Sequence, residues 1–174
     1  MTPIGPAWND LFDSFEHTAY RLEVRERYNS ALDQLAVFVR DGRVGTEWLE
    51  GWLSEVRAAA SQGRVFKRVR VVGVPLSDYS RFSLWLAKYN NEAGEDIRYL
   101  ARQDAERLGL PTFDYWMFDS RTVAKMHFDD EDTLLGFELV EDPSAVVDLN
   151  HARDVAWHHA VTRDDFATKH FDQP

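Results

Sequence analysis

The sequence has no cysteine among its 174 residues. This absence excludes disulfide bonds, thiolate nucleophiles and zinc-thiolate sites, and it fits a reducing compartment. The first residues lack a basic stretch followed by an apolar run, and no later window approaches the about 18 apolar residues of a membrane-spanning helix. We therefore expect a cytoplasmic protein that is neither secreted nor inserted in a membrane.

Signatures of common enzymes and metal sites are missing as well. There is no glycine-rich dinucleotide loop, no phosphate-binding loop of the Walker type and no nucleophile elbow. His127 and Asp129 lie two residues apart, and His158 is adjacent to His159, so neither pair has diagnostic metal-ligand spacing. We predict no metal and no cofactor. A catalytic pair of carboxylates stays an alternative, because the distance between the two groups in the folded protein defines such a pair and their spacing in sequence does not.

Charge of one sign is concentrated in the last part of the chain. The net charge is −10, and residues 103–174 account for all of it, with 16 acidic and 6 basic side chains. An acidic surface repels phosphate backbones, so direct nucleic-acid binding is not expected. Hydrophobic residues make up 44% of the sequence and include six Trp and eleven Phe, which is typical of one packed globular domain over residues 1–174.

Hydrophobic periodicity predicts an α/β domain with a mixed sheet and flanking helices, preceded by a mainly helical section over residues 1–64. Within that section, residues 20–24 alternate between apolar and charged, which favours a strand, although a helix stays possible. A helix capped by Ser77 or Asp78 separates the first two predicted strands of the core and implies a parallel crossover. The last three strands predict an antiparallel meander, and Pro143 opens a final helix that buries Val147. The predicted core strands are residues 65–74, 97–101, 115–119, 122–128 and 134–140.

A basic cluster surrounds the predicted crossover. One hypothesis is a docking patch for an anion or a protein, and the other is ion pairing with the acidic last third of the chain. We favour ion pairing, because that third has ten excess negative charges to neutralise. The helical spacing of Trp48 and Trp52 likewise predicts core positions. The basic cluster comprises Lys67, Arg68, Arg70, Arg81, Arg98 and Arg102.

Four stretches, residues 68–72, 76–82, 93–98 and 110–121, resemble a group of uncharacterised actinobacterial proteins of about this length. Members of that group are often encoded beside helix-turn-helix regulators. The resemblance covers nearly the whole chain and implies a regulatory protein of the helix-turn-helix type as the partner. The group has no established activity that the resemblance could bring to this chain.

A more distant resemblance is to one half of a phospholipase-D-like domain, and it involves residues 119–124, 136–143 and 156–160. It implies that residues 65–165 form a phospholipase-D-like α/β core. Active members of that family carry a histidine nucleophile and a phosphate-binding lysine ahead of a conserved aspartate. If Asp119 matches that aspartate, the histidine position is Thr112 and the lysine position is Asp114. The resemblance therefore implies a degenerate hydrolase site without catalytic residues.

These observations predict a non-catalytic regulatory or partner-binding module that acts with a helix-turn-helix regulator. The alternative is a phosphodiesterase or nuclease-like enzyme that uses Asp119 and His127. Open α/β sheets gather their sites at strand ends, and we expect charged residues at such ends to surround one pocket at the sheet rim. The candidate binding residues are Arg81, Glu95, Asp96, Arg98, Asp119 and Arg121.

Overall fold

The predicted strands form one mixed sheet in the computed structural model, which describes residues 1–170. Its seven strands have the order β6-β5-β4-β1-β2-β3-β7. The central strands β1, β2 and β3 are parallel, and each remaining pair is antiparallel. The strands are β1 (Thr18–Glu23), β2 (Val65–Val72), β3 (Asp96–Ala101), β4 (Tyr115–Phe118), β5 (Thr122–Phe128), β6 (Leu134–Leu139) and β7 (Val161–Thr162).

Helices cover both faces of the sheet. We call the side covered by α1 to α4 and α7 the groove face, and the other side, covered by α5 and α6, the α6 face. Within residues 1–170, no helix has both the length and the apolar character that crossing a membrane requires. The helices are α1 (Pro6–Ser14), α2 (Leu32–Asp41), α3 (Glu50–Ser61), α4 (Asp78–Ala93), α5 (Arg102–Arg107), α6 (Pro143–His159) and α7 (Arg163–His170), and a 3-10 turn (Glu47–Leu49) leads into α3.

The ambiguous segment over residues 20–24 is a strand, β1, and it lies at the centre of the sheet. It pairs with β2 on one side and with β4 on the other. Ala19 and Leu22 are fully buried on opposite faces, because helices cover both sides of this strand. The N-terminal section is therefore helical around one central strand.

The crossover and the meander are confirmed. The Ser77 side chain accepts a hydrogen bond from the Ser80 backbone N–H and caps α4, which connects the parallel strands β2 and β3. Strands β4, β5 and β6 follow one another as antiparallel neighbours. Pro143 opens α6 as predicted, but Val147 is 67% exposed, so its predicted burial is wrong. It lies on the solvent side of α6, whereas Leu149 and Ala156 are the buried residues of that helix.

The two faces of the sheet have different cores. On the α6 face, aliphatic residues of β1 and β2 pack against α5 and α6. On the groove face, aromatic rings from α1, α3 and the sheet form one cluster, with Phe12 and Trp116 in edge-to-face contact at 5.0 Å between centroids. This aromatic cluster borders the middle of the sheet, where the candidate site lies.

The glycine that ends α4 provides a test of this packing. Gly94 has φ +115°, and a Cβ added there would lie 3.1 Å from the Ala60 Cβ of α3. We expect Gly94→Ala to lower the free energy of unfolding by about 1–3 kcal/mol, since an L side chain is strained at this φ. Gly51→Ala is the matched control, because Gly51 is helical and no atom lies within 4 Å of its added Cβ. Urea unfolding that shows equal stability for both variants would contradict this account.

Candidate functional site

Charged side chains of both signs meet on the groove face at the middle of the sheet. Because side chains alternate along a strand, residues two apart share a face. Arg21 and Glu23 of β1 therefore point to the same side, and the parallel register places Arg68 and Arg70 of β2 directly beside them. We call the full set the charge cluster. It consists of Arg21, Glu23, Arg68, Arg70, Glu95 just before β3, and Asp114 just before β4.

The Glu23 carboxylate is the centre of the charge cluster. Its side chain is 1% exposed and forms ion pairs with three guanidinium groups. Arg68 Nη1 donates to Glu23 Oε1 at 2.9 Å, Arg21 Nε lies 3.0 Å from the same oxygen, and Arg70 binds Oε2 through Nε and Nη2. Burial alone would raise the pKa of Glu23, but these three positive charges lower it to about 2. Glu23 is therefore ionised across the physiological range.

Two further carboxylates complete the charge cluster from its sides. Glu95 accepts from Arg68 Nε at 2.8 Å and from the Trp52 indole N–H at 3.2 Å. Asp114 accepts from the Tyr28 hydroxyl and from the Val24 backbone N–H. Burial is the main cause that raises the pKa of Asp114. Both carboxylates are thus held by donors of neighbouring segments.

The cations and the anions of the charge cluster lie at different depths. The side chains of Glu23, Glu95 and Asp114 are at most 1% exposed, whereas those of the three arginines are 12–15% exposed. The arginine side chains are therefore more accessible than the carboxylates. They border both lobes of the space above the sheet, whereas Glu23 borders one lobe.

A groove in two lobes lies above the charge cluster. One lobe, of about 310 Å³, is mostly aromatic, and the other, of about 390 Å³, is more polar. Trp48 and Trp52 border the aromatic lobe, and Trp48 is 39% exposed, so its predicted core position is wrong. Trp48 lies in the 3-10 turn before α3 and forms part of the mouth of the groove, where it is partly exposed to solvent. The residues that border both lobes are Trp8, Arg21, Ser30, Arg68, Arg70 and Tyr79.

Four of the six predicted binding candidates lie in α4 or at the start of β3. Glu95 belongs to the charge cluster. Its neighbour Asp96 instead pairs with Arg98 at 3.2 Å, and the Arg98 guanidinium stacks 4.0 Å from the centroid of Trp157 on the α6 face. Arg81 lies in the first turn of α4. Adjacent residues 95 and 96 thus serve opposite faces of the sheet.

The other two candidates lie in the β4–β5 turn. Asp119 pairs with Arg121 at 3.6 Å and accepts hydrogen bonds at 2.8–2.9 Å from the backbone N–H groups of Glu16, His17 and Thr18. Among residues 1–170, no hydrogen bond or ion pair joins this turn to Glu95, Asp96 or Arg98. The structure therefore distributes the candidates over separate contacts instead of one pocket.

Four arginines near the crossover form ion pairs with carboxylates in the first part of the chain. For these four, the expectation that the acidic last third neutralises them is wrong, because carboxylates on neighbouring strands and loops are closer. Lys67 stacks on Trp157 at 4.8 Å from Nζ to the ring centroid. The ion pairs are Arg68 with Glu23 and Glu95, Arg70 with Glu23, Arg98 with Asp96, and Arg102 with Glu26.

The residues of the alternative hydrolase hypothesis lie apart. Asp119 precedes β5 and His127 is near the other end of that strand, where its Nε2 lies 3.2 Å from Glu138 Oε2. In the part of the chain that the structure describes, no three histidine or carboxylate side chains are grouped so that they could hold a metal ion.

Arg21, Glu23 and Asp114 were not among the residues predicted to form the site. One feature of the sequence could have indicated these residues: charges of both signs occupy alternate positions in two strands that are adjacent in the sheet. A charged residue in a strand that is covered on both faces requires a buried partner, so such charges predict ion pairs between the strands. The sequence presents Asp114 as a departure from a hydrolase motif and as one of many possible paired carboxylates. Its partner Val24 is 90 residues away in sequence, so no local pattern could indicate the contact.

The fold and the site define the chain as a mixed α/β protein with a charged groove on one face of its sheet. The family described as a domain of unknown function (DUF6879) matches residues 6–168, and the chain belongs to this family. No curated protein and no solved structure matches the chain. The phospholipase-D-like half domain thus stays a prediction from the sequence.

Glu23 allows a direct test of the charge cluster. We expect Glu23→Gln to lower the free energy of unfolding by about 3–5 kcal/mol, because it leaves buried guanidinium groups without their shared counterion. Because the folded-state pKa is depressed to about 2, the stabilisation by Glu23 is fully present above its ordinary pKa of 4.5 and is lost as the pH falls toward 2. Denaturant unfolding at pH 7 and pH 3 measures both effects. Glu106→Gln, on the exposed side of α5, is the control, and equal stability of the two variants at pH 7 would refute the central role of Glu23.

Substitution of Asp119 tests whether this predicted binding residue has a structural role. We expect Asp119→Ala to lower the free energy of unfolding by about 2–3 kcal/mol, because three backbone N–H groups at the start of β1 lose their charged acceptor. Asp119→Asn should cost less, since asparagine keeps one acceptor oxygen and tolerates the φ of +51° found here. Arg121→Ala should change stability by less than about 0.5 kcal/mol, because its side chain is 69% exposed. Thermal unfolding compares the three, and a larger loss for Arg121→Ala than for Asp119→Ala would contradict this interpretation.

Proposed function

We propose that this protein is a non-catalytic binding module of the regulatory kind expected from its sequence, and that it works by binding a small molecule in the groove. One observation carries the proposal. The side chains of Arg21, Arg68 and Arg70 border both lobes of the groove, and among the described residues no carboxylate borders the aromatic lobe. Charged side chains that converge on a cavity are typical of sites that bind and orient a small ligand.

A purely structural role explains the charge cluster less well. Taking charges out of water is costly, and apolar residues of similar volume often give equal or greater stability. A structural cluster also requires no open space above it. The two lobes, of about 310 and 390 Å³, are within the range of about 300–1,000 Å³ that is typical of ligand pockets.

The ionisation of the groove side chains supports binding over catalysis. Glu23, with a pKa of about 2, is a weak base near neutral pH. Burial is the main cause that raises the pKa of Tyr28 and of Tyr79 above the ordinary value of 10. The groove therefore offers fixed charge and hydrogen-bond donors to a ligand. The helix-turn-helix partner and the alternative phosphodiesterase activity stay predictions from the sequence.

A thermal-shift screen of a small-molecule library on the full chain tests this proposal. Ser30 is exposed and borders both lobes, so Ser30→Trp should fill the groove without disturbing the core. Ser144→Trp, at the exposed start of α6, is the matched control. We expect hits that raise the melting temperature of the wild type and of Ser144→Trp by about 5 °C or more at saturation, and that fail with Ser30→Trp. The proposal is refuted by a screen without hits, or by hits that Ser30→Trp does not weaken.

A further inference from the structure

The arginines at the groove floor have N–H donors to spare. Arg21 Nη2 lies 3.6 Å from Asp114 Oδ2, too far for a hydrogen bond, and Arg21 Nε meets Glu23 at 3.0 Å with an angle that forms none. Arg70 binds Glu23 through Nε and Nη2 and makes no hydrogen bond through Nη1 within residues 1–170. Two guanidinium groups at the junction of the lobes can therefore donate to an added acceptor.

The charges around the groove leave one cation in excess. Asp132 borders the polar lobe and pairs with two arginines of the segment after β1. The charged residues that border the two lobes are three arginines and two carboxylates. A single negative charge on a ligand would balance them. They are Arg21, Arg68 and Arg70 against Glu23 and Asp132.

Aromatic rings surround the lobe beside this positive charge. Trp52 lies 6.3 Å from Trp116 between ring centroids, and Trp48 is held at the mouth by a hydrogen bond of 2.9 Å from its indole N–H to the Gly45 carbonyl. Aromatic rings pack preferentially against other rings in stacked or edge-to-face arrangements. The Arg21 guanidinium itself lies 5.5 Å from the centroid of Trp116. The donors and the aromatic walls are thus close enough for one small ligand to contact both.

From this juxtaposition we infer the class of ligand: an organic anion with a flat aromatic ring. Its carboxylate or phosphate accepts hydrogen bonds from Arg21 and Arg70, and its ring lies in the aromatic lobe among Trp48, Trp52 and Trp116. This inference rests on the proposed function, since it concerns the same groove. Glu23 and Asp132 border the polar lobe, but among the described residues that border the aromatic lobe there are three arginines and no carboxylate, so an anion there meets no like charge.

Binding affinities of four probes, measured by titration calorimetry on the full chain, test the inferred class of ligand. The probes are 1-naphthaleneacetate, its neutral isostere 1-naphthaleneacetamide, 1-naphthyl phosphate, and acetate, which has no ring. We expect naphthaleneacetate or naphthyl phosphate to bind at least about tenfold more tightly than the amide, and acetate to bind at least about tenfold more weakly than naphthaleneacetate. The stronger of the two anions identifies the acidic group. Equal affinity for the acetate derivative and its amide, or no binding of either aromatic anion below about 1 mM, would overturn the inference.

Two variants locate the interactions. Arg21→Gln should weaken the bound anion by at least about tenfold and leave the affinity of the amide unchanged, because only the anion uses the charge. Trp48→Ala removes a half-exposed ring outside the charge cluster, so it should fold, and it should weaken both aromatic probes by a similar factor. Arg121→Gln, on the β4–β5 turn, is the control and should change nothing. Unchanged anion affinity in Arg21→Gln, or in Trp48→Ala, would place the probe elsewhere.

The result also separates this inference from the function on which it rests. If the library yields groove ligands that are neutral or aliphatic and lose affinity in Ser30→Trp, the ligand class is wrong and the binding function stands. If neither the library nor the four probes yields a ligand that Ser30→Trp weakens, the binding function fails and the ligand class fails with it.

Discussion

The shared carboxylate of Glu23 constrains much of this structure. A carboxylate that is withdrawn from water must be surrounded by cations and donors, and those cations have to come from the adjacent strand. The parallel register of β1 and β2 meets this requirement by placing Arg68 and Arg70 beside Arg21 and Glu23. A shift of one residue in that register would turn both arginines of β2 to the α6 face, among aliphatic side chains. The charge cluster thus fixes how the two central strands align.

The same cluster explains why the two faces of the sheet differ. On the α6 face, the apolar residues of β1 and β2 allow α6 to pack closely. On the groove face, the middle of the sheet carries guanidinium groups. An apolar helix packed closely on them would remove their water and offer no hydrogen-bond acceptor in its place. The helices there lie around the charged centre, and aromatic rings such as Trp52 and Trp116 cover its borders. The groove is therefore a consequence of burying charge at the centre of the sheet.

Local pattern accounts for much of the fold and for little of the site. Strand β2, helix α4 and the meander were predictable because each has its own periodicity, cap or turn. Strand β1 was ambiguous, since Arg21 and Glu23 alternate with apolar residues in a way that also suits a helix end. Helix α7 and the two-residue strand β7 were not predicted, because Phe166 is the single buried residue of α7 and gives no period. The site depended on pairs such as Val24 with Asp114, which only the strand order brings together.

The strand order also places the groove. The chain adds β2 and β3 on one side of β1 and then returns to add β4 on the other, so the direction of growth reverses at β1. Open α/β sheets bind ligands at such reversals, near the carboxyl ends of the parallel strands, because the connecting segments there leave in opposite directions and a crevice opens between them. Glu23 is the last residue of β1, and Tyr79 follows the end of β2. The Glu26 carboxylate closes this edge, accepting from the Gly73 N–H at 3.2 Å and from Arg102 at 3.1 Å. Glu23 and Asp114 thus lie at the carboxyl end of β1, whereas Glu95 lies at the start of β3, so the charge cluster extends from this edge across the middle of the sheet. The same buried charges that fix the strand register also provide the donors that border the groove.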